Sequence, residues 1–398
     1  MLHPAFASAK LRHFETSPKP QGAADKVLPA SGFDAAIAEI TQWEGYAPTP
    51  LYELTDLAET LGLEAILYKD EGPRFGIGSF KALGGSYAGL RVLQREISAL
   101  LGREASFADI RDGKHSAEAA QITLTSATDG NHGRSLAWGC QRFGAPCQIY
   151  IHAEVSEGRA EAMRAFGANV VRIDGDYDAS VALTRAEAEA NGWFVVSDTS
   201  WPGYSEPPRD VMAGYGVMTR EACKAMTKAP THVFLQGGVG GMAASVAAAL
   251  RQYWGAQSPR VVVVEPELAA CLIESAQNGT ATTVAIAEET VMAGLSCGEP
   301  SGLAWEVLAE EAQDYLTIPD EIIGPTMRLL YRPTGKTPRI EAGESGVAGL
   351  AALISGALQP DLRAALGLDA GSRVLLIGSE GITDPEIFAE LVLDHAGL

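Results

Sequence analysis

The sequence is short of positive charge: 30 Lys and Arg stand against 50 Asp and Glu, a formal net charge of −20. Displacing the counterions of a nucleic acid takes clustered Lys and Arg, so no nucleic-acid partner is expected. An anionic membrane surface is disfavoured for the same reason. Long apolar runs are missing too. No stretch approaches the roughly eighteen apolar residues that cross a bilayer, and residues 1–14 lack the continuous apolar segment of a secretory signal. Cysteine is sparse. Cys140, Cys147, Cys223, Cys271 and Cys297 are odd in number and scattered, which argues against a disulfide framework, and no C-x-x-C pair marks a metal site. The histidines other than His132 are isolated, so no transition-metal cluster is expected. These absences fit a cytoplasmic protein with reduced thiols and no membrane partner. They leave room for a small anionic ligand, because backbone N–H groups hold a phosphate whatever the net charge.

What the chain does have is glycine, 43 in 398 residues, and an alternation of short β-rich runs with longer helical patterns. Its length suits two domains, or one large α/β unit with an insertion. Strands are expected over 65–68, 122–125, 148–151, 169–173, 194–197, 232–235, 260–264 and 373–377. Several are unbroken apolar runs such as Val261-Val262-Val263-Val264, the pattern of a parallel strand covered on both faces. Helices are expected over 80–99, 133–143, 156–166, 179–190, 241–253 and 346–358. Strand–helix alternation over the whole length predicts a doubly wound α/β architecture. Residues 1–30 mix Pro, Ser, Gly and Lys with little periodicity and read as a loosely ordered or surface-wrapping lead-in.

Three segments carry chemistry. In Gln236-Gly237-Gly238-Val239-Gly240-Gly241-Met242, an expected strand runs into an Ala-rich helix through four glycines. Glycines let backbone N–H groups approach a ligand, and a helix N-terminus favours negative charge, so the segment reads as a phosphate cradle. The plain alternative is a flexible strand-to-helix turn. It matches neither the dinucleotide nor the nucleotide glycine motif. The second segment, Gly78-Ser79-Phe80-Lys81-Ala82-Leu83-Gly84-Gly85, sets a lysine at the start of an apolar helix. Many such lysines simply reach out to solvent; a desolvated one serves as Schiff-base partner and proton shuttle. The third, Thr128-Asp129-Gly130-Asn131-His132-Gly133, puts polar side chains between a strand end and a helix start. That position suits a bound carboxylate or ring hydroxyl, and equally an Asx turn with a helix cap.

Together these segments resemble the fold type II enzymes that depend on pyridoxal 5'-phosphate (PLP), the group of tryptophan synthase β-subunits and serine/threonine dehydratases. The resemblance runs from Thr49-Pro50-Leu51 to Gly378-Ser379-Glu380-Gly381. Within the group the sequence is especially similar to the 2,3-diaminopropionate ammonia-lyases. Supporting segments are Lys69-Asp70-Glu71-Gly72-Pro73-Arg74-Phe75-Gly76, Asp198-Thr199-Ser200-Trp201-Pro202-Gly203-Tyr204, Met212-Ala213-Gly214-Tyr215 and Met292-Ala293-Gly294-Leu295-Ser296-Cys297-Gly298-Glu299-Pro300. The resemblance implies two doubly wound three-layer domains: a large PLP-binding one of residues 1–86 and 205–398, and a smaller one, 87–204, inserted into it. It implies a carbon–nitrogen lyase acting on a small amino acid, and a homodimer.

It also implies roles. Lys81 would carry PLP and take the Cα proton. Asn131 would hydrogen-bond the ring hydroxyl oxygen, Gly237, Gly238, Val239, Gly240 and Gly241 would cradle the phosphate, and Ser379 would meet the pyridine nitrogen. Thr128, Asp129 and His132 would face the substrate. The carboxylates Asp129 and Asp198 would suit a diamine, with Asp129 as base for a D-substrate. A cap role stays open for Asp198, as does a structural hydrogen bond for His132. The sequence departs from the lyase pattern at Gly76-Ile77-Gly78-Ser79 and at Ile382, where an acidic residue is usual, which puts the substrate in doubt. A serine/threonine dehydratase-like lyase, a β-replacement enzyme and a non-catalytic PLP-binding protein are the alternatives.

Overall fold

The computed structural model describes residues 2–128 and 130–393. They divide into two compact units. One holds the chain up to Ala30, Ala47–Phe80 and everything described from Met218 on; the other holds Ser31–Tyr46 and Lys81–Val217. The second unit thus takes in residues 81–86, Lys81 among them, residues 205–217 and residues 31–46, beyond the 87–204 span expected from sequence. No helix among the described residues is long and apolar enough to cross a membrane.

The strands in chain order are β1 (Arg12–Glu15), β2 (Leu51–Glu53), β3 (Ala65–Asp70), β4 (Leu124–Ala127), β5 (Cys147–Ile151), β6 (Asn169–Arg172), β7 (Phe194–Val195), β8 (His232–Gln236), β9 (Arg260–Pro266), β10 (Ala312–Ile318) and β11 (Arg373–Gly378). The first unit is built on a seven-stranded sheet, β1-β10-β9-β8-β11-β3-β2. Its five inner strands are parallel, and β1 and β2 close the edges antiparallel. A parallel strand must be covered on both faces, and in β9 Val262, Val263 and Val264 are fully buried. The apolar helix Ala348–Leu358 supplies part of that cover. Because β8 and β11 are parallel neighbours, their C-terminal ends lie side by side. Gln236 Nε2 donates to Ile377 O at 2.7 Å and reaches Ser379 Oγ at 3.5 Å.

The lead-in is not loose. It forms the helix Ala5–Ser8, then β1, then the helix Ala23–Val27, with Phe6, Val27 and Leu28 each 1% exposed. Strand β1 pairs with β10 from Arg12↔Thr317 to Glu15↔Asp314, so its order comes from β10, which needs an edge partner, and not from local propensity. Asp314, buried in β10, is bound by Arg260 at 2.6 Å and by His13 at 2.8 Å.

The second unit carries a four-stranded sheet, β6-β5-β4-β7, parallel throughout. Its helices Lys81–Leu101 and Asn131–Phe143 meet through small residues. A Cβ on Gly139 would stand 2.8 Å from Ser86 Cα, and one on Gly85 would stand 2.7 Å from Ser135 Oγ. Ser86 Oγ donates to Ser135 O at 2.7 Å, and Ser135 Oγ donates back to Lys81 O at 2.5 Å. This close packing fixes the start of the Lys81 helix against the start of the Asn131 helix.

Candidate active site

In the second unit, Lys81 opens its helix and forms an ion pair with Asp198. Asp198 sits on the turn after β7, and the turn is built to be rigid. The Tyr204 hydroxyl donates to Val195 O and accepts from Ser197 N, both at 2.9 Å. Trp201 and Tyr204 exchange backbone hydrogen bonds, and their rings stack at 3.9 Å. The Arg185 guanidinium lies 3.7 Å above the Trp201 ring. Burial alone would raise the Asp198 carboxyl; the neighbouring positive charge, Lys81 foremost, outweighs it and holds the group well below the usual carboxylate range.

His132 approaches the same carboxylate oxygen as Lys81. Its Nε2 is 2.8 Å from Val196 O and must carry the hydrogen, because a carbonyl only accepts. Its Nδ1 is 3.9 Å from Asp198 Oδ2 and has no hydrogen-bond partner among the described residues. Burial lowers the imidazole pKa, and Lys81 is the foremost charge acting on Asp198. Thr128 Oγ1 accepts from Gly130 N and Gly133 N, each at 3.1 Å, closing the turn before the Asn131 helix. Asn131 is the first residue of that helix. Asp129 lies outside the described residues.

In the first unit, Gly238 and Gly240 adopt φ of +59° and +92°, a region that favours glycine. Gly240 N donates to Gly237 O at 3.0 Å, so the segment is a formed turn. Gly237 and Gly240 have no room for a side chain. A Cβ on Gly237 would stand 2.8 Å from Glu265 Cγ, and one on Gly240 would stand 3.1 Å from Leu308 Cδ1. No side chain caps the helix Gly241–Trp254 that follows. Its N-cap, Gly240, offers no side chain to the first N–H groups, which is the arrangement a phosphate fits. Ser379, at the end of β11 and 5% exposed, offers a neutral hydroxyl suited to a pyridine nitrogen. A phosphorylated pyridine matches the donor set of this unit, and the aldehyde of PLP matches the amine of Lys81.

The chain just before Lys81 is tied to Ser379. Phe80 N donates to Ser379 O at 3.0 Å, and Gly381 N donates to Gly78 O at 2.9 Å. Upstream lies a feature the sequence reading missed: a buried network of Lys69, Glu71, Arg74 and Glu221. Lys69 meets Glu221 at 2.6 Å, and Arg74 meets Glu71 and Glu221 at 2.8 Å each. Lys69 and Arg74 are 1% exposed. The two positive and two negative charges cancel, and removing any one would strand its partner at a cost of about 3–5 kcal/mol. The network anchors a segment in which Phe75, Gly76 and Gly78 all take positive φ. Tyr204 was missed as well, although its segment had been noted. Both features depend on partners distant in sequence, which no local pattern announces.

Comparison with known proteins agrees with these features. The model of the pyridoxal-phosphate dependent enzyme family matches residues 42–380. Diaminopropionate ammonia-lyase of Escherichia coli (strain K12) is 38% identical over 354 residues, 87% of this chain and 88% of that protein. The crystal structure of holo diaminopropionate ammonia lyase from E. coli superposes with a TM-score of 0.88 at 35% identity, covering 98% of each chain. The same lyase in complex with D-serine gives a TM-score of 0.88 at 34% identity, again over 98% of each chain.

Proposed function

Because this chain belongs to the pyridoxal-phosphate dependent enzyme family, we propose that it is an ammonia-lyase converting 2,3-diaminopropionate and water to pyruvate and two molecules of ammonia. The observation that carries the reading is Lys81 at the start of its helix, paired with a half-buried carboxylate that stays ionised. PLP, when bound, supplies a sink for the electron pair left at the substrate Cα. Lys81 is the attachment point and, displaced by the substrate α-amine, the base that takes the Cα proton. Asp198 holds the freed lysine in place. It also favours a substrate whose β-substituent is an ammonium, which keeps that nitrogen protonated until the Cβ–N bond breaks and ammonia departs. The unsaturated amine that is released hydrolyses to pyruvate with the second ammonia. Asp129 is the proposed base for the D-isomer. Ser379, a hydroxyl and not a carboxylate, would hold the ring nitrogen and leave it less protonated. The weaker sink favours elimination over reactions that need a long-lived carbanion. A cytoplasmic homodimer belongs to the same proposal.

The test is incubation with D- and L-2,3-diaminopropionate, D- and L-serine and threonine, with keto acid and ammonia measured together. Pyruvate from diaminopropionate with twice as much ammonia is the expected result. Turnover confined to serine or threonine would make the protein a dehydratase. Consumption of added sulfide would make it a β-replacement enzyme, and no turnover at all a binding protein.

A further inference from the structure

We propose that Tyr204 is a positioning residue for the reaction: its hydroxyl, by holding the end of β7, fixes Asp198 against the Lys81 amine. The proposal rests on the reading of Lys81 as the cofactor-bearing lysine. β7 is the edge of its sheet, with β4 on one side and, among the described residues, no strand on the other. Successive residues of a strand turn their N–H and C=O groups to opposite sides, and an edge strand leaves one set unpaired. Phe194 N donates to Thr123 O at 3.0 Å and Val196 N to Thr125 O at 2.8 Å, both on the β4 side. Val195 and Ser197 therefore face the open side, where a further strand would take their groups. The Tyr204 hydroxyl stands there instead. It donates to Val195 O and accepts from Ser197 N, both at 2.9 Å. A hydroxyl both donates and accepts, so one side chain replaces the rung of ladder that the sheet lacks.

Asp198 follows directly in the chain. Tyr204 ties its neighbour Ser197 at the backbone, and Ser197 Oγ accepts from Thr199 N at 3.1 Å, so the chain is held on both sides of Asp198. Tyr204 is itself clamped. Its ring stacks on Trp201 with 11° between the planes, Arg185 covers the Trp201 ring, and the two aromatic residues exchange backbone hydrogen bonds. The charged and titratable groups set against the Asp198 carboxylate are Lys81 and His132. On a loose turn that carboxylate would swing, and the freed lysine amine would swing with it. Proton abstraction from Cα requires the amine in one place. The Tyr204 hydroxyl is engaged by backbone as donor and as acceptor, so it acts through Asp198 and not on the substrate.

The experiment is Tyr204→Phe in the full-length protein loaded with PLP, alone and combined with Asp198→Asn. The readout is the pH midpoint of the visible band of lysine-bound PLP. A carboxylate fixed beside that nitrogen favours its protonated form, so losing or loosening the carboxylate lowers the midpoint. Asp198→Asn is expected to lower it by about 1–3 pH units. Tyr204→Phe keeps the stacked ring and deletes only the oxygen. It should lower the midpoint in the same direction by roughly half a pH unit or more, with kcat down about tenfold. In the Asp198→Asn background Tyr204→Phe should add no further shift, because two residues acting through one contact are not additive. An unchanged midpoint in Tyr204→Phe overturns the proposal, and so does a shift that persists undiminished in that background. The readout needs no substrate, so it stands even if diaminopropionate proves to be the wrong amino acid. A wild-type protein without the band would overturn the reading of Lys81, and this proposal with it. If the Phe variant does not fold, 4-aminophenylalanine at position 204 keeps the ring and a donor for Val195 O but is a poor acceptor for Ser197 N. It should lower the midpoint too, and an unchanged midpoint there also overturns the proposal.

Discussion

Gly214→Ala probes the helix contact on which the position of Lys81 depends. A Cβ at Gly214 would press into the carbonyl oxygen of Leu83, 2.8 Å from its carbonyl carbon and 3.0 Å from Gly84 Cα. All three are backbone atoms of the Lys81 helix, so no side chain can turn aside to make room. Ordinary contact begins near 3.4 Å, so the backbones must part by several tenths of an ångström or more. Overpacking of this kind costs about 1–3 kcal/mol, which for a domain of this size lowers the melting temperature by roughly 2–10 °C. Leu83 is two residues from Lys81, so the same displacement moves the amine away from Asp198 and should reduce kcat by about tenfold or more. Urea melts of the cofactor-stripped protein and steady-state turnover measure the two effects. Gly158→Ala is the control. Gly158 lies in the helix Glu157–Arg164 with nothing within 4 Å of an added Cβ, and the change should stabilise by about 0.5–1 kcal/mol. A Gly214→Ala protein that melts and turns over like the wild type would refute the reasoning.

Asp198→Asn removes the charge that holds Lys81 but keeps the shape. kcat should fall roughly 100-fold, with a larger loss on diaminopropionate than on serine; equal losses would show that Asp198 does not read the β-ammonium. Glu265, beneath Gly237, has its carboxyl pushed up by burial to about 8 from 4.5, although the N–H groups of Leu272 and Ile273 oppose this. The folded state therefore binds the extra proton, and the stability this contributes is complete below pH 4.5 and lost as pH rises through 8. Glu265→Gln needs no proton and should flatten the decline in unfolding free energy between those limits, measured by urea melts on cofactor-stripped protein; an unchanged slope would show that Glu265 is not its source.

Features that announce themselves locally were legible in the sequence. Val261 to Val264 read as a strand buried on both faces, and Gly237 to Gly241 as a glycine-rich strand-to-helix turn, because each property lies in consecutive residues. Lys81 became specific only when the glycine turn and Asn131 were read with it. β10 escaped notice because Gln313 and Asp314 interrupt its apolar run, and Asp314 is tolerated there because Arg260 neutralises it and His13 hydrogen-bonds it. β1 escaped because its order depends on β10. The charged network of Lys69, Glu71, Arg74 and Glu221 joins residues about 150 positions apart. Tyr204 acts through a hydroxyl whose partners are set by the fold. Polar residues of this kind look like surface residues until their contacts are known.

The central claim is that Lys81 carries the cofactor and does the chemistry. The most direct test is the visible spectrum of the purified protein with PLP, recorded beside that of Lys81→Ala. The account predicts an absorption band and diaminopropionate turnover in the wild type, and neither in a Lys81→Ala protein that remains folded. A wild-type protein that stays colourless with added PLP, or a Lys81→Ala protein that keeps both band and turnover, would contradict it.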